Sequence, residues 1–129
     1  MQNLFTQSLW VGAGGFVGAA LRFLVSGWVH HLIPNAGFPW GTLVVNAAGC
    51  LLLGFFGGLA ELRGMLSAAS RLFFFIGVLG GFTTFSTFAY ETVLLASGSE
   101  IVRAGANVAA QVVFGLAAAW FGYQGAKLL

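Results

Sequence analysis

The stretch Gly80-Gly81-Phe82-Thr83-Thr84-Phe85-Ser86-Thr87-Phe88 holds the densest set of side chains able to do chemistry in this 129-residue chain. Two adjacent glycines weaken a helix, and four hydroxyl residues follow within an apolar run from about Leu72 to Ala96, long enough to cross a bilayer. A helix interruption is therefore expected at Gly80-Gly81, at mid-membrane. Non-helical backbone at that depth persists only where protein or a wet cavity surrounds it, and its freed carbonyls can face a cation. Phe82, Phe85 and Phe88 recur every three residues and share a face wherever the chain is helical. On spacing, two readings stay open. One is a Phe stripe packed on a neighbouring helix, with hydroxyls bonded to their own backbone; the other is an ion-facing interruption.

Other polar groups are few. Asn46 is the strongly polar residue inside the second apolar run. An amide in hydrocarbon needs partners, so Asn46 either bonds another helix or lines a pore. Arg22, late in the first run, either snorkels to the headgroups or sets a cation at a pore mouth, where it would concentrate anions. Asn107 and Gln111 are expected to face inward, and Glu91 lies far enough along its span to reach the interface. His30 and His31 begin a polar turn and, lacking further ligands, read as interfacial. Cys50 is a lone packing residue. No nucleophile, base and acid constellation can be assembled, so an enzyme is not expected.

The elements that must position these groups follow from composition. The chain is 59% hydrophobic and 6% charged, against roughly 25% charged residues in a soluble domain. It reads as an all-α, multi-pass protein of one integral membrane domain, residues 1–129, with spans at about 4–29, 40–59, 72–96 and 104–126. No signal peptide is expected, because the N-terminus lacks a basic region. The net charge of +2 rests on scattered residues and does not point to nucleic acid. Gly14 and Gly18, and the glycines at 54, 57 and 58, allow helices to approach closely.

Orientation is weakly specified. With four spans, Arg63, Arg71 and Lys127 fall on one side, against Arg103 and a snorkelling Arg22 on the other. Such a chain can insert both ways, and two oppositely inserted copies can pair as an antiparallel, dual-topology homodimer with shared sites on the axis.

Taken together, the Gly80–Phe88 stretch, Gly41-Thr42-Leu43-Val44-Val45-Asn46 and Leu21-Arg22 resemble the bacterial Fluc-type (CrcB) fluoride-specific channels, over essentially the whole chain. The resemblance implies a broken third helix, an antiparallel homodimer with two pores in the bacterial inner membrane, and passive release of cytoplasmic fluoride that limits its toxicity. It further implies a structural, non-transported Na+ on the main-chain oxygens of Gly80 and Thr83. It places Phe85, Phe88, Asn46 and Arg22 along the fluoride path; the hydroxyls of Thr84, Ser86 and Thr87, and Gln111, are candidate further polar groups by their donor chemistry. Relatives often carry Ser or Thr along the middle of span four, where this chain has Gly115 and Ala117 to Ala119. Gln111 or water would have to serve there. The physics agrees: a small, tightly hydrated anion needs donors, positive potential and aromatic ring edges in place of water.

Two rival readings remain. A proton-coupled four-helix multidrug exporter needs a membrane-embedded carboxylate, and Glu91 is the sole candidate in any span. A structural subunit of a larger membrane complex would explain the glycines, but not hydroxyls bracketed by phenylalanines.

Overall fold

The computed structural model describes residues 3–64 and 66–129. Helix α1 spans Leu4–Leu32; its 29 residues give about 43 Å at ~1.5 Å per residue, more than the ~30 Å hydrocarbon thickness. Asn3 caps it by accepting the Thr6 N–H at 2.8 Å. Helix α2 spans Trp40–Arg63 and closes at Gly64, whose φ of 60° is the left-handed conformation that a glycine adopts without strain. The third crossing, Ala68–Ser97, contains the helical segments before and after Thr83-Thr84. Its first, α3, covers residues 68–82: α-helical Ala68–Arg71, π-helical Leu72–Leu79 and α-helical Gly80–Phe82. Its second, α4, is Phe85–Ser97, and α5 is Ile101–Lys127. Four helical segments are thus long and apolar enough to cross a membrane, and this is a multi-pass membrane protein.

The helices outrun the expected spans because backbone hydrogen bonding does not stop where apolar sequence stops. His30 and His31 do not begin a turn: they form the last turn of α1, closed by the Ile33 N–H on the Val29 carbonyl at 3.0 Å. Glu61 and Arg63 likewise continue α2.

Glycines set the packing. Gly14 and Gly15 of α1 meet Gly77 and Gly81 of α3 so closely that a methyl on Gly77 would stand 2.8 Å from the Gly14 Cα, and one on Gly81 2.8 Å from the Gly15 carbonyl oxygen; Gly18 lies as close to the backbone of Val78 and Phe82. α2 and α5 approach similarly, and a methyl on Gly122 would stand 2.8 Å from the Phe55 nitrogen. The chain therefore packs as two tight pairs, α1 with α3 and α2 with α5. They are joined where α1 touches α2 and α4 lies on α5.

The non-helical residues of the third crossing are Thr83 (φ −80°, ψ 158°) and Thr84 (φ −152°, ψ 115°), not Gly80 and Gly81, which are helical. The reason is packing. Gly81 is needed for contact with α1, whereas the Thr84 backbone has a substitute hydrogen-bond partner on α2.

Candidate functional site

That substitute is Asn46. Its Oδ1 accepts the Thr84 N–H at 2.8 Å, and its Nδ2 donates to the Thr84 carbonyl at 2.9 Å, so the carboxamide pairs with the main chain in both directions. Nδ2 also donates to Gln111 Oε1 at 3.0 Å, which ties in α5. In a continuous helix the Thr84 N–H would bond the Gly80 carbonyl; here that oxygen is released. Thr83 turns its N–H and its Oγ1–H onto the Leu79 carbonyl, at 3.1 and 3.0 Å. Thr84 Oγ1 caps α4 by accepting the Thr87 N–H at 3.2 Å and donates to Thr87 Oγ1 at 3.0 Å.

A groove of about 350 Å³ opens beside this pairing, and its walls bring together Asn46, Gly80, Thr83, Thr84, Phe85, Phe88 and Gln111. The Phe85 and Phe88 rings meet edge to face, with centroids 5.4 Å apart and planes at 69°. In that arrangement the electropositive edge of one ring meets the face of the other. Gln111 Nε2 is buried and has no hydrogen-bond partner among the described residues, which leaves a donor next to the aromatic pair.

Behind the Thr83-Thr84 pair lies a second, wider groove of about 820 Å³, bounded by Arg22, His30, His31, Thr42, Thr84 and Thr87. Arg22 Nη1 reaches the Thr83 carbonyl at 3.5 Å, a long contact. Thr84 thus lines both the aromatic groove and the cationic one. Ser86 is exposed and shares a 3.4 Å contact with Thr84 Oγ1.

One turn along the same seam lies a set of contacts that the sequence did not disclose. Thr42 Oγ1 donates to Glu91 Oε1 at 2.8 Å, and Glu91 also borders the loop residues Gly37 to Pro39, Gly98 and Glu100. Asn107, fully buried, donates to Thr92 Oγ1 at 2.9 Å, and Thr92 donates to the Phe88 carbonyl at 2.8 Å. Thr42 and Asn46 are four apart on α2, as Asn107 and Gln111 are on α5. That i, i+4 spacing on two helices was the signal available for a polar seam. Glu91 Oε2 and Asn107 Oδ1 are buried without partners among the described residues.

No group of three His, Cys, Asp or Glu side chains comes together among the described residues. A hard cation here would need main-chain oxygen, and the released Gly80 carbonyl with the weakly engaged Thr83 carbonyl fits that chemistry.

The fluoride-specific ion channel FluC of Methylocella silvestris is 46% identical over 117 residues, covering 89% of this chain and 88% of that protein. FluC of Thermus thermophilus is 45% identical over 116 residues, 90% of each. FluC 1 of Methanosarcina acetivorans is 44% identical over 114 residues, 88% of this chain and 86% of that one. Residues 9–123 match the family described as CrcB-like protein, Camphor Resistance (CrcB), and the chain belongs to that family.

Proposed function

We propose that this protein is a fluoride-specific ion channel that passively exports fluoride across the bacterial inner membrane and so lowers its toxicity in the cytoplasm. The observation that carries the reading is the juxtaposition of Asn46, the edge-to-face Phe85 and Phe88 rings and the unpaired Gln111 donor in one groove, in a chain 44–46% identical to proteins named as fluoride-specific channels. Fluoride leaving water there meets ring edges and an amide N–H, while the Arg22 charge behind Thr83 raises the positive potential. These interactions are individually weak, so the ion can leave. Ser86 and Thr87 offer further hydroxyls.

The working unit in this reading is an antiparallel, dual-topology homodimer with the third helix broken at Thr83-Thr84. In a single copy Phe85 is 78% exposed, and Ser86 and Thr87 are exposed at mid-span. Hydroxyls at that depth are poorly matched to lipid, which favours a second copy as their cover. Structural Na+ would be held by the Gly80 and Thr83 carbonyls of both copies. Its charge would fix the extended segments and add positive potential.

Fluoride efflux from liposomes, compared with chloride and measured with and without a proton gradient, tests the function. Fast fluoride efflux without a gradient, and little chloride efflux, are expected. Equal chloride flux would sink it, and strict proton dependence would favour an exporter built on Glu91.

A further inference from the structure

Two features of the wider groove are not used by the reading above: His30 and His31. Arg22, Ser26, His30 and His31 recur at helical spacing along α1, and all line the groove that ends at Thr84 and Thr87. His30 lies eight residues beyond Arg22, about 12 Å along the axis at ~1.5 Å per residue. That is close to one screening length at roughly 0.1 M salt. The groove's lining includes no carboxylate. The facing groups from the neighbouring elements are Thr42, Thr84 and Thr87. Glu91 is tied to Thr42, and Arg103 is paired with Glu100 and bonded to the Gly37 carbonyl in the loop after α1. A charge gained at the histidines therefore adds to that of Arg22 instead of being cancelled inside the groove.

We infer that His30 and His31 form a proton-dependent anion-collecting mouth, in which protonation of the imidazoles raises fluoride capture into the Arg22 groove. The inference rests on the fluoride channel reading. Histidine is the side chain that ordinarily changes charge between about pH 5 and pH 8, so the mouth collects best on the acid side of that window. The effect acts on capture: it raises flux at limiting fluoride and fades at saturation, because the Phe85 and Phe88 passage is unchanged.

The test is fluoride current across planar bilayers, which reports the ion and not neutral HF, at about pH 5.5 and about pH 8 on both sides. At limiting fluoride the wild-type current is expected to be about two- to fivefold larger at the lower pH. Both histidines are exposed, so substitution leaves the packing intact. The His30→Gln, His31→Gln double variant should stay at the high-pH level throughout, and the corresponding double Lys variant at the low-pH level throughout. A wild-type current that ignores pH overturns the inference, as does a Gln variant that keeps the full response and thereby assigns it to Glu91. Absence of fluoride current at both pH values would remove the channel reading itself, a different outcome from a steady current that ignores pH.

Discussion

Asn46 and Thr84, 38 positions apart, are joined by two hydrogen bonds of opposite sense: the side-chain amide of one reads the main-chain N–H and C=O of the other as a neighbouring strand would. The pairing makes an extended residue tolerable at mid-membrane, where each unpaired main-chain group costs about several kcal/mol. It also ties α2 to the point where α3 hands over to α4, with α5 attached through Gln111.

Asn46→Ala strips both partners from Thr84 at once. Loss of thermal stability in detergent and a fall in fluoride efflux of about tenfold or more are expected, since two buried groups at about 1–3 kcal/mol each lose their bonds. Wild-type melting and efflux in this variant would show that the pairing holds nothing in place.

Gln111→Met removes one acceptor and the unpaired donor but leaves the Asn46–Thr84 pairing intact. Stability should change by about 1 kcal/mol or less, while fluoride flux drops more than stability does. The informative comparison is melting temperature against flux. Equal, mild effects on both would take Gln111 off the ion path.

Phe85→Ile and Phe88→Ile roughly conserve volume and remove the ring edges. Fluoride efflux should fall strongly while the oligomer elutes unchanged from a sizing column. Normal efflux in both variants would return the pair to a packing role.

Replacing sodium by a larger monovalent cation on both faces should reduce fluoride efflux, and Thr83→Ser should leave sodium dependence unaltered, because the proposed ligands are main-chain oxygens. Gly80→Val should weaken sodium binding and lower efflux, because a β-branched side chain restricts the backbone that carries the proposed ligand. Full efflux in thoroughly sodium-free solution would discard the cation.

Gly77→Val tests the fold independently of the ion path. Its Cβ would stand 2.8 Å from the Gly14 Cα and 2.9 Å from the Val11 carbonyl, with backbone on both sides unable to yield. The expected cost is about 1–3 kcal/mol or more, seen as a lower melting temperature. A neutral result would mean that α1 and α3 are not in close contact.

The amino-acid sequence by itself determined the four crossings, because runs of apolar residues of bilayer length have nowhere else to go. It also disclosed the glycine faces and nearly all of the site, since Asn46, Thr84, Phe85, Phe88 and Gln111 are each conspicuous as polar or aromatic residues in such runs. Tertiary structure decided the rest. The glycine pair suggested where the third helix would give way, yet Gly80 and Gly81 stay helical and Thr83-Thr84 are extended. A helix gives way where its displaced N–H and C=O find other partners, and that partner is on another helix. The partner of Glu91 likewise lies far off in sequence: it is Thr42, 49 positions away. Local periodicity records which face of a helix shuns lipid, but the hydrogen-bond partner of each buried polar group is set by which helices meet, and that depends on backbone contacts at glycines.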